Sequence, residues 1–157
     1  MSDDRPEQEQ DDREERLFER QEAERLLPQF ERVLTGALEK KKSLDGIEQE
    51  LSQVQNRILL YGGILPPYGY LAEKKLERDR LMAAIREAVG EIEQNGCVVK
   101  DLDLGLVDFP SIVEDEQVYL CWKLGEKRIR YWHRVSEGFA GRKPLASEDA
   151  PDDSKPN

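Results

Sequence analysis

The residues able to do chemistry are gathered late in the chain, between Cys97 and Arg142. That stretch holds both cysteines, both tryptophans and the only histidine. Asp101, Asp103 and Asp108, with Glu114, Cys121, His133 or Glu137, are ligand types that suit zinc, manganese or iron. No spacing among them forms a C-x₂-C or H-E-x-x-H pattern, so a divalent metal on Asp101, Asp103, Asp108 and His133 is the secondary reading and no cofactor is expected. Asp108 and His133 are also the candidate catalytic pair, able to act as acid and base if the 101–110 segment crosses the strand that carries His133. Against this, an Asp ahead of a short apolar-Pro step commonly bonds its own backbone or pairs with an arginine such as Arg142. Asp101, Arg142, Trp122 and Tyr131 are the candidate ligand-binding residues, with Lys143 beside Arg142 in a glycine-bracketed turn.

Whether these groups can cooperate depends on the hairpin that carries them. Val118–Lys123 and Arg128–His133 have the β-branched and aromatic content of strands. With Gly125-Glu126 as a two-residue turn, Trp122 faces Ile129, Leu120 faces Tyr131 and Val118 faces His133. That register keeps Arg128 and Arg130 off the Trp122 face and sends Cys121 and His133 to opposite sides of the sheet. It therefore predicts neither a Cys–His nucleophile pair nor a Cys–His metal site. Upstream, Cys97–Lys100 reads as a strand. Asp101–Phe109 contains Gly105 and stops at Pro110, which predicts a loop with a short strand at most.

The elements ahead of this segment are helical. Ala23, Leu26 and Leu27 share a face. Beyond Pro28, which should kink or restart the helix, Phe30, Leu34, Ala37, Leu44, Ile47, Leu51, Val54 and Ile58 recur at spacings of three and four. Gly62-Gly63 and Pro66-Pro67 end that helix. A second runs from about Tyr70 to Gln94, with Leu71, Leu81, Met82, Ile85, Ala88, Val89 and Ile92 on one face. The two span roughly 48 and 37 Å at ~1.5 Å per residue. Their stripes exceed what they can bury against each other. The sheet, a second copy of the chain, or both must cover the rest.

The 157 residues give room for one domain. Residues 1–16 carry eight acids and three bases, and 143–157 carry four and two, so the ends supply −7 of the −10 net charge. Such segments bury too little apolar surface to offset their ordering entropy, and both are expected to be disordered tails around a domain at 17–142 (helical hairpin 20–95, β segment 97–142). The acidic balance argues against nucleic acid, where phosphate neutralisation supplies the affinity. No apolar run is long enough to cross a bilayer, and no hydrophobic leader opens the chain, so a cytoplasmic protein with reduced thiols is expected.

The motifs DLDLGLVDFP, LCWKLGE, YWH and GFAGRKPL, with EAERLLPQF near the start, closely resemble the prokaryotic family known as domain of unknown function 2203. The resemblance covers about residues 17–145. It departs at Glu19-Arg20, where the family usually has a Thr cap, and it implies a bacterial or archaeal origin but no reaction. The expected architecture is α+β, a long antiparallel helical hairpin packed on a two- or three-stranded antiparallel sheet. The expected function is a non-catalytic, homodimeric interaction or adaptor module, coiled-coil-like along its stripes, with a further protein partner permitted. The alternative is a small metal- or ligand-binding protein or enzyme using Asp101, Asp108, His133 and Arg142.

Overall fold

The computed structural model describes residues 16–62 and 65–145. The chain runs α1 (Arg20–Tyr61), α2 (Tyr68–Gln94), β1 (Val98–Asp101), β2 (Leu106–Val113), β3 (Glu116–Lys123), β4 (Tyr131–Arg134), a 3₁₀ turn (Phe139–Gly141) and β5 (Lys143–Pro144). The class is α+β, as expected. The sheet is larger than expected, however. It has five antiparallel strands in sequential order, not two or three. Two of the additions come from segments that look like poor strands. Leu106–Val113 pairs along its whole length with β3 despite Pro110, and Lys143–Pro144, just past the expected domain end, closes the edge against β4.

α1 is one helix through Pro28 rather than two. Its 42 residues reach about 63 Å at ~1.5 Å per residue. An interior proline costs about 3 kcal/mol, and here the flanking Leu27 and Phe30 are both buried against the sheet, which offsets that loss. α2 returns antiparallel along α1 from about Gln29 onward. Gln29 bonds Glu91 at one end of the contact, and Glu50 takes Tyr70 and Lys74 at the other.

The core lies between the first half of α1 and one face of the sheet. Val99, Val107, Phe109, Leu120, Trp122 and Trp132 line that face and meet Phe18, Ala23, Leu27, Phe30, Leu34 and Ile92. Phe109 is the pivot, stacked on Phe30 at 5.7 Å and edge-on to Phe18 at 5.5 Å. The segment before α1 is tied to β2 by Phe18 N–H on the Pro110 carbonyl (2.7 Å) and by the Ser111 hydroxyl on the Phe18 carbonyl (2.6 Å). Phe109→Ala is expected to lower unfolding free energy by about 3–5 kcal/mol, measured by urea denaturation. An unchanged midpoint would mean the core does not close around this ring.

Candidate functional site

The β3–β4 pairing differs by one residue from the register that a two-residue turn predicts. Tyr119 faces His133, Leu120 faces Trp132 and Cys121 faces Tyr131. The turn is longer because Glu126 is used inside it. Its carboxylate accepts the Lys123 N–H (2.8 Å) and its carbonyl accepts the Trp122 indole N–H (2.8 Å). Ile129 then turns into the core, with its N–H on Glu24. A one-residue slip moves every side chain of a strand to the other face. Cys121 and His133 consequently lie on the same side, and the expectation that they point apart is overturned.

That side is the one facing away from the helices. A row of cross-strand neighbours, Val98, Asp108, Cys121 and Tyr131, runs over four strands, and His133 sits diagonally from Cys121. Asp108 is 1% exposed, Cys121 2% and His133 1%. The chain covers them by folding the Phe139–Gly141 turn back across the sheet. Gly138 and Phe139 roof a cavity of about 230 Å³ lined also by Lys100, Asp101, Leu106, Asp108, Cys121 and His133. A larger groove of about 520 Å³ lies along Leu17–Glu22 and β2, on residues that carry no such cluster.

Asp108 does not cap a turn or meet Arg142; it sits mid-strand. Its Oδ2 lies 3.0 Å from His133 Nε2. The other ring nitrogen, Nδ1, lies 2.8 Å from the Arg134 carbonyl. A carbonyl only accepts, so Nδ1 carries a proton there and Nε2 is turned toward the carboxylate. Burial foremost, and then the Asp108 carboxylate, push the Cys121 thiol up to about 12, with Arg142 pulling the other way. The trio offers one carboxylate, one thiol and one oriented imidazole, types that can hold a metal ion or share a proton.

The remaining candidates disperse. Asp101 lines the cavity, yet its carboxylate is taken by the Leu104 N–H. Asp103 is exposed and pairs with Lys41. Glu137 pairs with Arg134 and Lys143, and Glu114 is in the β2–β3 turn with φ 51°. Arg142 binds the Glu126 carboxylate at 2.5 and 2.6 Å and stacks on Tyr131 at 3.8 Å. Trp122 faces the helices while Tyr131 faces outward, so they form no shared platform. Cys121, set aside with the wrong register, is the residue the sequence reasoning missed. The signal available was the spacing Asp108–Cys121–His133 across three strands, readable only once the pairings are known.

The second cysteine behaves as core. Cys97 is 3% exposed, and burial pushes its thiol up to about 12. In the unfolded chain the group ionises near 9, so its contribution to stability is complete below that pH and is lost as pH rises from there toward 12. With Cys121→Ser leaving Cys97 as sole thiol, a disulfide reagent at pH 8 is expected to react about 100-fold faster in denaturant than in buffer. Equal rates would show that the thiol is not held in the core.

Neither the curated proteins nor the solved structures contain a match. A family model described as "Uncharacterized conserved protein (DUF2203)" matches residues 16–145. The matched span takes in both helices, all five strands and the outer-face cluster, and the chain belongs to the DUF2203 family.

Proposed function

We propose that the protein is a homodimeric interaction module whose helical arm joins two copies. The observation that carries this is the bare outer half of the helical hairpin. Buried residues on α1 stop at Ile47, and on α2 only Ile92 is buried. Past that point Leu51, Val54, Ile58 and Leu71 are half-buried around an open groove of about 330 Å³. Leu59, Leu60, Tyr61, Leu65, Tyr68 and Leu76 are each more than half exposed.

Two helices alone cannot enclose the stripes that face each other, and clusters of large exposed apolar residues are unusual on monomers. A second copy supplies the missing layer. An isologous contact uses the same patch twice, and two such arms laid side by side make a four-helix bundle. The polar positions of the arm favour a protein over a lipid surface. Glu48, Glu50 and Glu73 alternate with Arg57, Lys74 and Lys75, a mixture rather than a basic face. No helix among the described residues is long and apolar enough to cross a membrane.

Light scattering of the full chain at about 50 µM, well above the Kd of a standard-size interface, is expected to give twice the monomer mass. The double substitution Leu60→Glu and Leu76→Glu is expected to give the monomer mass with helical circular dichroism retained. A wild-type monomer at that concentration would end the proposal.

A further inference from the structure

The outer-face cluster carries an inference beyond assembly and independent of it. We propose that Asp108, Cys121 and His133 bind one divalent transition metal ion of the zinc class, with a fourth coordination position turned into the cavity beneath Phe139.

Each ligand comes from a different strand of the same sheet, β2, β3 and β4, so backbone pairing fixes their separation rather than loop conformation. One donor atom from each lies within 4.8 Å of the others. Around a tetrahedral ion with bonds of about 2.0–2.3 Å, donor atoms sit roughly 3.3–3.8 Å apart. The largest separation needs to shrink by about 1–1.5 Å to reach that spacing.

The histidine is already oriented for the task. Its Nδ1–H is held by the Arg134 carbonyl at 2.8 Å, and Nε2 points at Asp108. Metal-binding imidazoles use this arrangement, since a bond from one nitrogen to a backbone carbonyl fixes the tautomer and presents the other nitrogen, here 3.0 Å from Asp108, to the ion.

Charge supplies a further reason. Asp108 is buried at 1% exposure, and among the described residues the His133 imidazole is the basic side chain within hydrogen-bond reach of it. Arg142, the nearby strong cation, is committed to Glu126, and Lys100 is exposed at the cavity rim. The three are buried together with hydrogen bonds to one another and to the Arg134 carbonyl, and a divalent ion in their midst would neutralise the carboxylate and a thiolate where, among the described residues, no strong cation is free to do so. A divalent ion satisfies all three at once.

The donor set selects the ion. Thiolate and imidazole favour zinc, iron or cobalt over magnesium or calcium, which take oxygen ligands. Three protein ligands leave one place for water or a small anion from the cavity, the pattern of sites that exchange ligands rather than of closed structural sites. Asp101 and Asp103, grouped with these residues on sequence grounds, take no part.

The test is titration of untagged, metal-stripped full chain with Co²⁺, followed by absorbance. The expected result is one equivalent bound, with a thiolate-to-cobalt charge-transfer band in the near ultraviolet that Zn²⁺ displaces. Cys97→Ala should keep the band, Cys121→Ser should lose it, and His133→Gln should weaken binding at least tenfold. If Cys121→Ser folds poorly by circular dichroism, the Cys97→Ala protein, with Cys121 its sole thiol, decides the question. Absence of stoichiometric binding overturns the proposal. So does binding without the band, which would locate the ion on exposed carboxylates, or a band lost only with Cys97.

Discussion

A β-sheet has two faces, and this chain provides helices for one of them. The inner face is served by the first half of α1 and the end of α2, with Phe109 and Trp122 at its centre. Among the described residues no α-helix packs on the outer face, yet Asp108, Cys121 and His133 on it are as dry as the core. They are dry because the chain after β4 doubles back. Arg142 clamps that return by binding Glu126 and stacking on Tyr131 and Phe139. Everything distinctive about the site follows from how a single-layer sheet conceals its second side.

The helices and the inner core were legible from periodicity. The stripe at Phe30, Leu34, Ala37 and Ile47 marks residues that are buried, because a 3.6-residue repeat is a direct record of one face meeting one surface. Pro28 does not restart the helix, for a local reason. Propensity charges an interior proline the full loss of a hydrogen bond, while packing of Leu27 and Phe30 decides whether the helix continues. The motifs of the β segment also sufficed to place the chain in its family.

The sheet was less legible, and the site least of all. Strand content at Leu106–Val113 was hidden by Gly105 and Pro110. Gly105 is needed just before the strand, at φ +66°, where a Cβ would lie 2.5 Å from Leu124 Cβ. The hairpin register was inferred by separating apolar from charged residues, which presumes that one face meets water. Neither face of β3 does so at its centre, and Cys121 and His133 score as neither core nor surface by hydrophobicity. Long-range partners fixed the outcome instead. Glu24 holds the Ile129 N–H from 105 residues away in sequence, a contact no local window contains.

The sequential order of the sheet bears on how the molecule assembles. Each strand pairs with its neighbour in the chain, so the meander, like the helical hairpin, forms from contacts of short sequence separation, which close quickly. What joins the two is the distant docking of α1 and Phe18 onto β2 and β3. During synthesis Leu27, Phe30 and Leu34 leave the ribosome some 80 residues before Phe109 and Leu120 exist to cover them. For that interval the nascent α1 displays its most apolar stripe unprotected, and the vulnerable stage in the life of this protein is its manufacture.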